Sequence, residues 1–224
     1  MKITIEPAQM SESLRLGAVL ALTGGFFDAY TYLCRGGVFA NAQTGNMVLL
    51  GVDLAQGQWM HTTHYLLPIL AFALGVAVAD ILKRRLKNRP SGLHWRQLVV
   101  LAEIMLVVLV GFLPQSMNMV ANTLISFICA LQVESFRKVH GSAFATTMCT
   151  GNLRSATELL IRWRAEGDEE ARRKAGRYLA VIGYFIAGAA IGVGAVQLWG
   201  SRAVLVCCAS LSAAVALMFW QRTA

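Results

Sequence analysis

The chain has 224 residues, of which 56% are hydrophobic and 14% are charged, and its mean hydropathy is +0.55. So few polar side chains cannot cover the surface of a water-soluble globule, which excludes an ordinary soluble domain and indicates a polytopic membrane protein. The formal net charge of +8 does not indicate binding of nucleic acid, because the basic residues are concentrated in two short loops beside apolar segments.

The N-terminal segment 1–14 is hydrophilic, and the apolar run that follows it is too long for a cleaved signal peptide. Six apolar segments have the length that a helix needs to cross a bilayer. They are residues 15–34, 64–82, 97–114, 119–136, 178–198 and 203–220. Two further segments, 38–54 and 143–161, contain several polar residues. Each is either a poor span or a re-entrant segment that enters and leaves the bilayer by the same side.

Lysine and arginine residues favour cytoplasmic loops, so their distribution predicts the orientation of the spans. The loops 83–96 and 162–177 each carry six basic residues and are predicted to lie inside. Residues 55–64 and 115–118 carry none and are predicted to lie outside. Both chain termini are then cytoplasmic. The first polar segment re-enters from outside and the second from inside, and Arg35 is the one basic residue on the outer side.

A polar motif occurs twice in the chain. Thr44-Gly45-Asn46 recurs as Thr150-Gly151-Asn152, 106 positions later, and the same offset aligns Asp28 with Glu134. Because the two polar segments are predicted to enter from opposite sides, we expect an inverted repeat of three plus three spans.

The predicted fold is all-α: a polytopic membrane protein with six transmembrane helices and two re-entrant half-helix segments. Residues 15–115 form the first repeat and residues 116–224 the second, within one compact membrane domain. Similar runs, Phe72–Gly75 and Phe185–Gly188, open a span in each half and contain small residues. Small residues allow close contact between helices, so we expect both spans to pack tightly against neighbours.

Asp28 and Glu134 are costly in the apolar part of a bilayer, at roughly 2.5–3.5 kcal/mol each on insertion scales. Their alignment by the repeat favours a role as acceptors of a proton or cation, or as partners of the two motif asparagines. The alternatives are a structural hydrogen bond from Asp28 to a neighbouring helix and an interfacial ion pair of Glu134 with Arg137 or Lys138.

Thr44 and Thr150 are predicted to cap the N-termini of two short half-helices. Free backbone amides and the positive end of the helix dipole attract an anion or a carbonyl group there. Secondary transporters bind their substrates at broken helices of this type, although Thr-Gly-Asn is also able to form a simple turn. The candidate residues for binding a solute or ion are Asp28, Tyr30, Asn41, Gln43, Thr44, Gly45, Asn46, Glu134, Thr150, Gly151, Asn152 and Arg154.

Arg154 has no basic counterpart in the first half, and three roles stay open for it. It neutralises Glu134 or Glu158, contacts an anionic substrate, or faces the cytoplasm. Glu103 is a secondary candidate without a symmetric partner. The five cysteines show neither a disulfide framework nor metal-ligand spacing, and no catalytic motif or cofactor fingerprint occurs. We therefore expect no enzyme activity, no cofactor and no metal.

Three segments carry a resemblance to a known family: Gly24-Gly25-Phe26-Phe27-Asp28-Ala29, Phe39-Ala40-Asn41-Ala42-Gln43-Thr44-Gly45-Asn46 and Cys149-Thr150-Gly151-Asn152. In these segments the chain resembles the YoaK family, multi-pass bacterial membrane proteins of unknown function. The resemblance implies a location in the bacterial cytoplasmic (inner) membrane, and it implies no substrate or catalytic residue. The half-helix arrangement is also similar to that of larger nucleobase and sulfate transporters.

The leading functional hypothesis is a small secondary transporter or permease for a small polar or anionic solute, coupled to protonation of Asp28 or Glu134. Three alternatives stay open: a small channel, an intramembrane enzyme that uses Glu103 and His94, and a non-transporting scaffold or sensor. The expected partners are the lipid bilayer and a small-molecule or ion solute, and no nucleic acid. A homodimer also stays open.

Overall fold

The computed structural model describes residues 14–86, 94–136, 138–139, 142–143 and 149–220. In these ranges the protein is all-α, as predicted. The helices are α1 (Leu14–Cys34), α2 (Gln43–Ala55), α3 (Trp59–Leu86), α4 (Trp95–Gly111), α5 (Asn118–Ser135), α6 (Cys149–Glu166), α7 (Glu169–Trp199) and α8 (Val206–Trp220). Short 3-10 helices cover Gln115–Met117 and Gly200–Leu205, and strand β1 (Lys138–Val139) pairs antiparallel with strand β2 (Ser142–Ala143).

Each of the six predicted spans corresponds to a helix, namely α1, α3, α4, α5, α7 or α8, and the two ambiguous segments contain α2 and α6. Four stretches of the described residues are long and apolar enough to cross a membrane. They are Leu14–Cys34, Trp59–Leu86, Gln115–Ser135 and Glu169–Phe219, the last of which contains both α7 and α8. Helix α4 has 17 residues and α8 has 15, which are at or below the usual lower limit for a span.

The long helices pack in two pairs, α1 with α7 and α3 with α5. Glycines lie at both contacts. A methyl group on Gly188 of α7 would overlap the Leu22 carbonyl of α1, and one on Gly75 of α3 would lie 2.7 Å from the Phe127 carbonyl of α5. The glycines of the two similar runs therefore allow the close helix contacts that the sequence predicts.

Helix α1 lies at the centre of the molecule, since its apolar side chains join those of α4, α5 and α8 in the main core. Helix α5 runs antiparallel to it. The Asn122 amide donates to the Arg35 carbonyl at 2.8 Å, and the Gln132 amide donates to the Leu20 carbonyl at 3.2 Å. These bonds place the end of α5 beside the beginning of α1.

Arg35, which the sequence places on the outer side, is fully buried just after α1. Its guanidinium donates to the carbonyls of Val110, Leu113 and Pro114 at 3.1–3.3 Å, and to the Asn118 side chain at 3.1 Å. These carbonyls lie at the C-terminus of α4, the negative end of the helix dipole. Arg35 therefore caps α4, and its charge is compensated by protein groups.

Candidate functional site

The chain reverses direction after α1. Gly36 and Gly37 have φ values of +91° and +79°, which glycine adopts without steric cost. The segment that follows runs back along α1, because the Asn41 side-chain amide donates to the Gly24 carbonyl at 3.1 Å. Gly24 lies ten residues before the end of α1 at Cys34, or about 15 Å of helix rise. The non-helical segment that follows α1 therefore extends back along α1 to about its middle.

Asn46 holds this segment in place. Its side-chain oxygen accepts from the Phe39 amide at 2.9 Å, and its nitrogen donates to the Phe39 carbonyl at 2.7 Å and to Gln43 Oε1 at 2.8 Å. Gly45 makes room for the Phe39 ring, since a Cβ on Gly45 would lie 2.8 Å from a ring carbon. The predicted site residues Gln43, Gly45 and Asn46 thus shape the segment that precedes α2.

The predicted threonine caps are wrong. Helix α2 begins at Gln43, so Thr44 lies inside the first turn, and α6 begins at Cys149, which places Thr150 likewise. Ala42 holds the cap position of α2 without a side-chain hydrogen bond. Asp28 on α1 instead binds the segment that leads into α2, because its Oδ1 accepts the Asn41 amide at 2.6 Å.

The amides of Ala42 and Ala40 also lie close enough to interact with the Asp28 carboxyl group. A carboxylate at the N-terminus of a helix is stabilised by the free amides and by the helix dipole. Asp28 therefore binds backbone amides of the segment that leads into α2, and not the Asn46 side chain.

The first turns of α2 and α6 open into one cavity of about 550 Å³. Its polar lining consists of Asp28, Asn41, Gln43, Thr44, Cys149 and Thr150, together with the backbone of Gly151. Among the described residues of this lining, Asp28 is the one charged side chain, and it is 6% exposed. The structure thus brings residues of both Thr-Gly-Asn motifs to the same space.

Four aromatic rings form much of the remaining wall: Tyr32, Phe39, Phe72 and Phe185. Tyr32 stacks on Phe39 with ring centroids 5.0 Å apart. Phe72 and Phe185 begin the two similar runs of α3 and α7, and sequence reasoning used these runs for helix packing alone. Their matched positions were the signal that could have identified them as site residues.

The two half-helices leave the cavity toward opposite ends of the molecule. The end of α2 meets the beginning of α3, where Asp53 lies 2.7 Å from His61 Nδ1, and His64 Nε2 lies 2.8 Å from the Gly36 carbonyl just after α1. Helix α6 instead ends beside the beginning of α7, whose Tyr178 packs on the same small cluster, Ala21 and Val181, as Leu14 at the beginning of α1.

Besides Gly45 and Asn46, four further predicted site residues lie outside the lining of the cavity. The Tyr30 hydroxyl donates to the Ser201 carbonyl and accepts from Arg35 Nε, both at 2.8 Å. Asn152 is buried within α6. Arg154 is exposed and binds Glu158 at 2.8 Å, which agrees with one of its three open roles.

The fourth of these residues is Glu134, whose Oε1 lies 4.0 Å from Lys83 Nζ at the end of α3. Of the two partners that the sequence suggested for it, Arg137 and the side chain of Lys138 lie outside the described residues. The offset of the repeat therefore aligns Glu134 with Asp28 without bringing it into the same cavity.

Glu103 and His94 do not share a site. They lie nine residues apart on α4, or about 13 Å of helix rise, with His94 exposed and Glu103 fully buried. The His94 side chain accepts from the Arg96 amide at 3.3 Å and so begins α4.

Comparison with known proteins identifies the family. Residues 16–218 match the family described as protein of unknown function (DUF1275). The chain is 28% identical over 148 residues to the UPF0700 transmembrane protein YoaK of Bacillus subtilis (strain 168), and the match covers 63% of this chain and 64% of that protein. No solved structure matches the chain. The predicted resemblance is confirmed: the chain is a multi-pass integral membrane protein that belongs to the DUF1275 family.

Proposed function

We propose that the protein is a small secondary transporter whose solute binds in the cavity between the first turns of α2 and α6. The observation that carries this proposal is the cavity itself. Two half-helix N-termini reach it from opposite ends of the molecule, and one buried carboxylate, Asp28, lies among the amides just before the first. Polar groups at such a depth in an apolar protein are costly and mark solute or ion pathways in membranes.

An inverted repeat of residues 15–115 and 116–224 accounts for the packing. The repeat relates α1 to α5 and α7 to α3. It therefore relates the contact of α1 with α7 to the contact of α5 with α3, and both contacts are present. The glycine contacts are exchanged as well: Gly188 packs on Leu22, and Gly75 packs on Phe127, close to the position 106 residues after Leu22. Under this repeat, α2 and α6 are the re-entrant half-helices among six transmembrane helices.

The distribution of basic residues supports an orientation with both chain termini in the cytoplasm of a bacterial inner membrane. Lys83, Arg84 and Arg85 lie in the last turn of α3, at the end of the molecule where α1 begins. The arginines and lysine of the α6–α7 corner lie at the same end. The opposite end, around His61 and His64, has no lysine or arginine between residues 55 and 64. Basic residues concentrate on the cytoplasmic side of membrane proteins.

Asp28 couples the solute to a proton in this proposal. As a carboxylate, Asp28 binds the amides of the segment just before α2 and competes with any anionic or carbonyl group of the solute. When it takes up a proton, its negative charge disappears and those amides become available. Solute and proton therefore bind together, which is the requirement for symport.

The lining indicates the class of solute. A cavity of about 550 Å³ accepts a small molecule, and its four aromatic rings favour a solute with an apolar body. The half-helix amides favour a carbonyl or carboxylate at one edge of that body. We therefore propose a small polar or anionic solute whose remaining surface is apolar.

A transport assay tests the proposal. A thermal-shift screen of the purified protein against small organic anions, amides and nucleobases selects a ligand, and proteoliposomes then measure its uptake. We expect saturable uptake that an inward proton gradient accelerates, with loss of that acceleration in Asp28→Asn. Glu158→Gln, an exposed carboxylate far from the cavity lining, is the control. Flux that rises linearly with solute concentration would indicate a channel and contradict the proposal.

A further inference from the structure

Glu103 is a buried carboxyl group that the solute cavity does not use. It lies on α4 between Val100 and Val107, and all three side chains are fully buried. Within the described part of the chain, neither of its oxygens has a hydrogen-bond partner. Removing a polar group from water without a partner is unfavourable, and removing an unpaired charge is far more so.

Within the described residues, the buried side-chain polar atoms that lack a hydrogen-bond partner are all oxygens. They are Asn41 Oδ1, Glu103 Oε1 and Oε2, Asn122 Oδ1, Gln132 Oε1 and Ser135 Oγ. The carbonyl and carboxylate oxygens in this set accept hydrogen bonds and donate none. The core therefore has more hydrogen-bond acceptors than donors. A proton bound to one of these oxygens is the simplest way to supply a missing donor.

Two of these acceptors belong to side chains that bind α1. The amide nitrogens of Asn41 and Gln132 donate to Gly24 and Leu20, whose carbonyls are four residues apart on α1, while the amide oxygens stay unpartnered. Cys129, one turn before Gln132 on α5, is close enough to interact with the Asn41 side chain and with both carboxyl groups, Asp28 and Glu103.

We propose that Glu103 is a second proton-binding site, which communicates with Asp28 across Cys129 and Asn41. A proton that leaves the Asp28 carboxyl group and arrives on Glu103 leaves the total charge of the pair unchanged. Asp28 is then the carboxylate that binds the amides just before α2, and Glu103 is the neutral acid in the apolar core. The proposal that Glu103 binds a proton does not depend on the solute cavity. The use of this proton in coupling rests on the proposed function.

The surroundings of Glu103 favour a proton over any other compensating group. The titratable groups around Cys129 are Asp28 on α1, Glu103 on α4 and Cys207 on α8, and none of them supplies a positive charge. No lysine, arginine or histidine of the described residues pairs with Glu103. Glu134 differs in this respect, because Lys83 lies 4.0 Å away.

Infrared spectroscopy of the protein in lipid nanodiscs tests this inference. A protonated carboxyl group has a carbonyl stretching band that a carboxylate lacks. We expect such a band at neutral pH in the wild type, its loss in Glu103→Gln and its retention in Glu134→Gln. A band that survives unchanged in Glu103→Gln overturns the proposal. If that variant does not fold, glutamate labelled with carbon-13 at the side-chain carboxyl replaces it: the label must shift the band of the wild type, and an unshifted band overturns the proposal.

The link to Asp28 has its own readout. In this proposal the two carboxyl groups interact, so Asp28→Asn removes a like charge, Glu103 ionises more readily, and its band must disappear at a lower pH than in the wild type. If the pH midpoint of the Glu103 band were unchanged, the two carboxyl groups would be independent, and the proposed communication between them would be wrong. Neither spectroscopic result requires a transported solute, so failure here is distinguishable from failure of the transport assay.

Discussion

Two buried polar side chains of the candidate site, Asn46 and Asp28, differ in what they contact. Asn46 binds both backbone groups of Phe39 and has no place in the cavity lining. Asp28 lies in another helix, yet it is the side chain that meets the amides just before α2. The sequence therefore identifies the motif correctly as a special segment, but its spacing cannot tell a structural clamp from a binding group.

Asn46→Ala tests the clamp. It leaves the amide and carbonyl of Phe39 without their side-chain partner, at roughly 1–3 kcal/mol for each buried group. We expect a clear fall in the thermal unfolding temperature of the purified protein. Thr44→Ala, two residues away and exposed, is the matched control and leaves that temperature nearly unchanged. Equal effects of the two variants would contradict the assignment of Asn46 as a clamp.

Arg35→Met tests the cap of α4. The substitution leaves several buried carbonyls at the end of α4 without a donor, and each costs roughly 1–3 kcal/mol. We expect strong destabilisation in a denaturant titration. Arg84→Met removes an exposed ion pair with Asp80, which contributes little, and is the control. The capping role of Arg35 could not be assigned from the sequence, because its partners at the end of α4 are 75 to 83 residues away along the chain.

At the scale of the elements, apolar runs predict α1, α3, α4, α5, α7 and α8 well, because the predicted spans were chosen as runs that are apolar along their whole length. The Thr-Gly-Asn motif did not predict where α2 begins, since the amides of Gln43 and Gly45 donate to the backbone carbonyls of Asn41 and Ala42 and not to a threonine side chain. The close contacts of α1 with α7 and of α3 with α5 were partly predictable, because small residues mark the faces but not the partners.

Gly188→Ala tests the contact of α1 with α7. The added methyl group would meet the backbone of Leu22, which cannot move aside as a side chain can, and overpacking of this kind costs roughly 1–3 kcal/mol. Gly194→Ala, on the same helix with open space around it, is the matched control. Thermal unfolding of both variants measures the difference. Equal stability would place Gly188 outside the contact.

Asp168 makes the stability of the corner between α6 and α7 depend on pH. Its side chain accepts the amides of Ala171 and Glu170, and these bonds, with Arg162, lower the pKa of Asp168. A lowered folded-state pKa means that the stabilisation is present above the ordinary pKa and is lost as the pH falls through the lowered one. Hydrogen exchange should show protection of these two amides that decreases in acid. In Asp168→Ala, protection should be low throughout; a wild-type pH dependence in that variant would contradict the cap.

At the scale of the molecule, charge and repeat together predicted two polar segments that enter the bilayer from opposite sides. The structure brings Thr44 of one motif and Thr150 of the other to one cavity, while the side from which each segment enters stays a prediction. The sequence could not show that Glu134 lies near Lys83, nor that Phe72 and Phe185 complete the wall, because both depend on how α3, α5 and α7 pack.

The measurement that tests the central claim most directly is the sidedness of the two half-helices. In a background with Cys34, Cys149 and Cys208 replaced by serine, Gln58→Cys marks the end of α2 and Glu166→Cys marks the end of α6; both positions are exposed. A membrane-impermeant maleimide applied to one side of sealed vesicles should label only one of the two, and the opposite vesicle orientation should label only the other. Labelling of both from the same side would contradict the account.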